Sequence, residues 1–397
     1  MRVCVVAEYY PRRRDPVLGV WAHRQALAAR RAGAEVRVIA LERPIPPAAV
    51  VHAALRRRPR ALARWLGEVI AQPRRDRLDG IEVEYVRFVS PPRALSYAEW
   101  GRFAQRPLGR ALRRLDRAWG IELVHAHYAL PAGAAALPFA RGHGRPLAIS
   151  VHGGDVYGPA LMGPEARARV AGVLGHAAAV LCNSAATLER AAALGVARER
   201  MEVVHLGAEP PSPAPPKHQR PTVATLAHVV PRKRHADVAY ALTELRRRGR
   251  ELDWVVIGDG PALAAVRALA VELGVDERVR WLGQLAPGTA LAQLARAHVM
   301  AMPSLDEAFG VAYVEALACG VPAIGCRGEG GPEEIAALGA GMLLVPARDP
   351  AALADAIERA LSDAELAAAA RRTAAERFSW ERCGRTTVSA YARALGR

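Results

Sequence analysis

The stretch from Pro303 to Ile335, PSLDEAFGVAYVEALACGVPAIGCRGEGGPEEI, decides how the rest of the chain is read. Ahead of Pro303 the apolar run His298–Met302 reads as a buried parallel strand. The chain then turns polar at Asp306 and Glu307 and enters VAYVEALA, an apolar helical run that starts at Val311 and is closed by Gly320. A second strand, Val321–Gly325, leads into a glycine loop holding Gly328, Gly330 and Gly331. Pro332 is expected as the first residue of the next helix, with Glu333 and Glu334 in its first turn. Two successive strand–loop–helix units thus present their loops and helix N-termini at one edge of a parallel sheet, the edge where open α/β sheets bind ligands. Backbone N–H groups near Phe309 and Gly310 suit a phosphate or a sugar hydroxyl. Glu307 and Glu315 are placed to accept hydrogen bonds from neutral hydroxyls. Together these features imply a nucleotide-sugar ligand.

At 397 residues the chain is long for one core, and alternating strand and helix signals favour an α/β class with two domains. The five cysteines are scattered and form no CxxC pair, so neither a disulfide framework nor a zinc site is implied, and a reducing cytosol fits. MRVCVVAEYYP reads as a first strand rather than a leader, and no apolar run is long enough to span a membrane. Of the net charge of +16, an excess of +14 lies in residues 1–120, which carry 25 Lys+Arg against 11 Asp+Glu. Such concentration implies an anionic partner.

In chain order, the strand Arg2–Glu8, the loop YYPRRRDPVLGV, the helix WAHRQALAARRAG and the strand EVRVIAL make a β-α-β opening. Gly19 is the only glycine where a dinucleotide fingerprint wants three, which argues against NAD. Residues 44–78 read as an insertion outside the sheet. Leu62, Trp65, Leu66, Val69 and Ile70 recur there at helical spacing among arginines, open to two readings: an interfacial helix that inserts Trp65, or an ordinary surface helix. Alternation then continues to MEVVHLG, and EPPSPAPPKHQRP is a proline-rich linker. The expected domains are 1–209, linker 210–221, 222–375, and a C-terminal helix in 376–397 that packs back on the first domain.

SLDEAFGVAYVEALACGVPAI resembles the signature of the family four glycosyltransferases, retaining enzymes of the GT-B fold: two facing Rossmann-like domains with a cleft between them. Glu307 and Glu315, seven residues apart with Phe309-Gly310 between, carry the resemblance. Gly19, the run His152-Gly153-Gly154-Asp155, Lys233, IGDGP with Gly258, MPS, and Gly330-Gly331 before Glu334 follow in the family's order. The resemblance implies that Glu307 binds the donor sugar, Glu315 the ribose and Lys233 the diphosphate. It implies also that His152 contacts the sugar near its reacting carbon, and that Asp155 places the acceptor or the loop. The family's glycine-arginine pair is replaced by Ala227-His228, which leaves His228 and Arg232 as candidate donor contacts, with Arg234 beside Arg232 a further substitute for the missing arginine. Neither metal nor cofactor is implied, and a front-face mechanism is, in which the departing phosphate oxygen takes the acceptor's proton.

The expected activity is hexosyl transfer from a nucleoside-diphosphate sugar, UDP favoured over GDP, to a sugar or lipid-linked acceptor. The protein is expected in the cytoplasm, with docking on an anionic membrane surface a further expectation. A nucleotide-sugar 2-epimerase of the same fold is one alternative. A non-catalytic or nucleic-acid-binding protein is another, although aromatics are few and not interleaved with the basic runs, so nucleic acid is not expected as a partner.

Overall fold

The β-branched run RVCVVA forms strand β1, Arg2–Ala7, and residues 3–7 are fully buried, as a strand covered on both faces by helices requires. The computed structural model describes residues 1–46, 50–51, 56, 59–92, 96–158 and 163–397. These fall into two units, one made of residues 1–183, 187–204 and 383–397, the other of residues 184–186 and 205–382.

In the first unit, β2 (Glu35–Glu42), β3 (Arg75–Leu78), β4 (Ile81–Arg87), β5 (Leu123–His127), β6 (Leu147–Val151), β7 (Ala179–Cys182) and β8 (Met201–Val203) join β1 in the order β3-β4-β2-β1-β5-β6-β7-β8. All neighbours are parallel except β3 with β4. Strand order reverses between β1 and β5, and their register places Ala7 opposite His127 at the carboxyl ends. A crevice at such a reversal is where α/β sheets hold ligands. The C-terminal helix Trp380–Ala394 joins this unit from Cys383 on: Thr387 Oγ1 accepts from Gln25 at 3.1 Å and Tyr391 bonds to His125 at 2.7 Å.

The second unit orders β9 (Thr222–Leu226), β10 (Asp253–Ile257), β11 (Val279–Gly283), β12 (Val299–Ala301), β13 (Ala323–Cys326) and β14 (Met342–Val345) as β11-β10-β9-β12-β13-β14, all parallel. Its reversal lies between β9 and β12. Trp254, wholly buried, donates to Thr225 Oγ1 at 2.9 Å, and Thr225 donates to Ala301 at 2.8 Å, so one polar thread crosses three strands.

Three expectations need correction. Residues 75–78 belong to the sheet as an antiparallel edge strand, turned into β4 by Asp79 and Gly80, both at positive φ. The Asp-Gly pair was the available signal. Gly330 and Gly331 are not loop residues: the helix is Gly330–Leu338, so Pro332 is its third residue and not its first. In the helix Pro59–Ala71, Trp65 is half-buried and the exposed apolar side chains are Leu66 (45%) and Ile70 (77%). Leu55, Arg57 and Arg58 lie outside the described residues.

All five cysteines are buried and free, and burial pushes their thiols up, Cys182 to about 12 and Cys326 to about 11. Among the described residues no helix is long and apolar enough to cross a membrane.

Glu42, with no exposed surface, gathers Arg87 at 3.0 Å, Arg14 at 3.2 Å and Arg12 at 4.0 Å. This cluster fastens the basic loop after β1 to the end of β2. Removing the carboxylate leaves guanidinium groups buried without their counter-charge. Glu42→Ala is expected to cost about 3–5 kcal/mol in urea unfolding. Glu202→Ala, which loses the surface partner of Arg393, is expected to cost about 1 kcal/mol or less. Equal losses would make Glu42 one more surface carboxylate.

Candidate functional site

In the second unit the loops that follow β9, β12 and β13 converge on Glu307. Its side chain, mostly buried, accepts from Lys233 Nζ and from Ser304 Oγ (2.9 Å), with an Arg232 guanidinium nitrogen 3.9 Å away. Its backbone N–H donates to Glu329 Oε2 at 2.8 Å, and its carbonyl accepts from Gly331 at 3.2 Å. Leu305 N donates to Arg232 O at 2.8 Å, closing the arrangement. Burial pulls the Lys233 ammonium below its ordinary range, and the adjacent Glu307 carboxylate opposes that.

Gly310, with φ near +86°, caps the helix Val311–Ala318. Among the described residues no hydrogen bond uses the N–H of Phe309 or Gly310, at the start of this helix. Gly331 is a glycine for steric reasons, since a Cβ there would stand 2.3 Å from Phe309 O. Phe309 is buried and stacks on His205 with ring centres 5.7 Å apart, and His205 bonds to Glu334 Oε1 at 2.6 Å. Glu334 Oε2 also accepts from Ala185 N at 2.7 Å. Val311 and Glu315 are half-buried on the same helix.

The glycine turn after β10 packs backbone to backbone on the loop after β9: Val229 N donates to Asp259 O at 3.0 Å, with Gly258 beside Ala227. His228 is exposed there. Arg234 is held by both oxygens of Asp237, at 2.6 and 2.9 Å, which leaves Arg232 as the guanidinium beside Glu307.

In the first unit a second constellation stands at the ends of β1, β5 and β6. His127 Nδ1 and His152 Nε2 share a hydrogen bond of 2.9 Å and their rings stack 5.1 Å apart. The His125 ring lies against His127 tilted by 39°, with centres 4.6 Å apart. Asp155 has no exposed surface and accepts from the backbone of Ala129 (2.6 Å) and of His152 (3.2 Å), so it shapes the loop of Gly153 and Gly154. Gly19 closes the opposite wall, since a Cβ there would lie 2.0 Å from Tyr9 O. Tyr9, Trp21, His152 and Tyr128, all half-buried, form a closed circle of ring contacts at 6.3, 6.3, 5.2 and 5.3 Å.

Sequence reading brought together Glu307, Lys233, Arg232 and Gly310 in one unit and His152 with Asp155 in the other. It missed Glu329 and His205, and it missed the partners of His152: His127, Trp21, Tyr9 and Tyr128. HAHY at the close of a strand, two histidines on one face of β5, was the signal for His127.

Desolvation pushes His125 and His152 down to about 3 and His127 well below the ordinary imidazole range. The rings are therefore neutral when folded and charge on unfolding. Between about pH 6.5 and pH 3 the unfolded chain binds more protons, so stability is fully present above pH 6.5 and falls as the pH drops. The loss is expected to reach about 1.4 kcal/mol per pH unit for each ring. Urea unfolding from pH 7.5 to 5 should show this slope, and His125→Gln should flatten it; a flat wild-type profile would contradict the neutral stack.

Residues 211–377 match the model for glycosyl transferases group 1, and residues 18–210 match that for Glycosyltransferase Family 4. Over 174 residues the chain is 35% identical to the GDP-mannose-dependent alpha-(1-6)-phosphatidylinositol monomannoside mannosyltransferase of Mycobacterium tuberculosis. That match covers 41% of this chain and 45% of the relative, so the chain spans about half of its length. It is 30% identical over 306 residues to the D-inositol 3-phosphate glycosyltransferase of Jonesia denitrificans, covering 68% of this chain and 72% of that protein. Anabaena HepE, solved with UDP and glucose, shares the fold at a TM-score of 0.71 and 18% identity over 99% of each chain. With its two parallel sheets and both halves matched in order, the chain belongs to the group 1 glycosyltransferases of the GT-B fold.

Proposed function

We propose that the protein transfers a hexosyl unit, with retention and without a divalent cation, from a nucleoside-diphosphate sugar to an inositol-containing or lipid-linked acceptor. The observation that carries this is the Glu307–Lys233 pair at the switch point of the second sheet, next to the free N–H groups of Phe309 and Gly310. Bond cleavage at the anomeric carbon leaves charge on the diphosphate. Lys233, Arg232 and the helix start at Gly310 supply preorganised positive charge for it. Once a diphosphate draws Lys233, Glu307 is released to accept from sugar hydroxyls, with Ser304 still bonded to it. Glu315 accepts from the ribose. His152 meets the sugar near its reacting carbon, and the acceptor's proton leaves on the departing phosphate oxygen.

GDP-mannose is the first donor to test, on the strength of the mycobacterial relative's name, and UDP-sugars stand beside it. Inositol phosphates and phosphatidylinositol are the first acceptors, because both relatives carry inositol in their names. The experiment measures nucleoside diphosphate released from each donor, with and without acceptor and with EDTA present, and reads the anomeric configuration of the product by NMR. Release that survives EDTA, with retained configuration, is expected. Interconversion of donor sugars, or no release from any donor, would overturn the reading.

Lys233→Ala is expected to lower turnover by about 10²-fold or more while the protein stays folded. Glu315→Gln should weaken nucleoside-diphosphate binding by roughly 1–3 kcal/mol in calorimetry, since a carboxylate accepts more strongly than an amide. Normal affinity in that variant would remove Glu315 from the ribose site.

Reversible docking on anionic membranes belongs to the same proposal. The exposed pair Leu66 and Ile70 and the exposed Arg60 and Arg64 share the helix Pro59–Ala71. Each basic side chain near such a surface contributes up to about 1 kcal/mol, which salt screens. Co-sedimentation with phosphatidylglycerol vesicles should exceed that with neutral vesicles and fall when Arg56, Arg57, Arg58 and Arg60 are neutralised. Equal pelleting with both would leave the acceptor soluble.

A further inference from the structure

The proton positions in the histidine column can be worked out from its hydrogen bonds. Ser150 Oγ donates to Gln25 Oε1 at 3.5 Å and lies 2.8 Å from His125 Nε2, so it accepts from that nitrogen. His125 therefore carries its proton on Nε2, and Tyr391 donates to the bare Nδ1 at 2.7 Å. Gln25 Nε2 donates to Thr387 and closes the chain with every proton placed. His125 is fixed, and it offers His127 only a tilted ring contact.

The His127–His152 pair is different. One hydrogen bond of 2.9 Å joins His127 Nδ1 to His152 Nε2, and the outer atoms, His127 Nε2 and His152 Nδ1, are buried without a partner among the described residues. Two arrangements satisfy the shared bond. If His152 donates, His127 is left with an N–H on Nε2, inside a residue that is 1% exposed. If His127 donates, its outer nitrogen is bare and the orphan N–H moves to Nδ1 of His152, an atom equally buried but in a residue that keeps some exposed surface and belongs to the aromatic circle. A buried N–H without an acceptor is the costlier omission, and the residue nearer the surface is the one where a bound ligand can meet it, which favours the second arrangement. Trp21 Nε1, on a ring 6.3 Å from His152, is also buried and unpartnered. Both orphans of that circle are then donors, and an oxygen-rich ligand answers both.

We propose that His127 is a positioning residue: it donates from Nδ1 to His152 Nε2 and so makes His152 present an Nδ1–H to a ligand oxygen, as donor and not as base. This rests on the reading of His152 as facing the substrate, deepens it, and is testable without any donor sugar.

The test is nitrogen-15 NMR of histidine-labelled full-length protein, with the His152 signals assigned by difference from His152→Asn. In wild type at pH 7, His152 should show a protonated Nδ1 and a bare Nε2. His127→Phe fills the same space without a donor and should shift His152 to a mixture or to the Nε2–H form. His127→Asn, whose amide nitrogen falls near Nδ1, should restore the wild-type pattern. Where donor turnover is measurable, kcat should fall at least about tenfold in His127→Phe with less change in KM, and recover in His127→Asn. A purely structural His127 would change stability in both variants and leave the His152 tautomer alone. A His152 proton on Nε2 in wild type, or a folded His127→Phe protein with unchanged tautomer, overturns the proposal. Absence of turnover with any donor would defeat the functional reading and leave the tautomer result standing.

Discussion

One carboxylate residue holds together the loops at the carboxyl edge of the second unit's sheet. Glu307 uses both its side chain and its backbone: the carboxylate takes Lys233 and Ser304, the N–H goes to Glu329, and the carbonyl receives Gly331. Those partners come from loops behind three different strands. A buried carboxylate is costly unless its lone pairs are met, so the requirement to satisfy Glu307 fixes where each loop ends. Gly331 must be a glycine because this convergence brings its backbone against Phe309.

The two sheets share a pattern and fill it with opposite chemistry. At the reversal in the second sheet stand a charged pair and free backbone donors, suited to an anion whose charge grows as a bond breaks. At the reversal in the first stand neutral histidines and a ring of aromatic side chains, suited to hydroxyls and to apolar faces. The low imidazole basicity there follows from burial foremost, and neighbouring rings add to it at His125 and His127.

The fold was legible because its signals are local. The strands β1, β2, β8, β12 and β13 announced themselves as runs closed by glycine or a polar loop. β3 was missed because an exposed edge strand, RDRL, carries no burial pattern, and its Asp-Gly turn was the only cue. Glu307, Lys233 and His152 were legible through a motif and its order. Their partners were not. Glu329 and His127 act through hydrogen bonds to residues 22 and 25 positions away, and no periodicity encodes a contact of that span.

Charge shows the same division between what a sequence counts and what a fold does with it. The basic loop after β1 reads as a lure for anions, yet Arg12 and Arg14 turn inward to Glu42. Their work is mechanical: with that loop fastened at its middle and Gly19 pressed on Tyr9, the rings of Tyr9 and Trp21 are held at the edge of the aromatic circle. Other arginines have no carboxylate beside them. Arg106, Arg110 and Arg113 are of this kind; they line a groove of about 500 Å³ over Ala135, Pro138 and Phe139 and make no hydrogen bond or ion pair among the described residues. Surface charge of this sort is screened within about 10 Å at ordinary salt, so it steers a partner at encounter and contributes little to holding it.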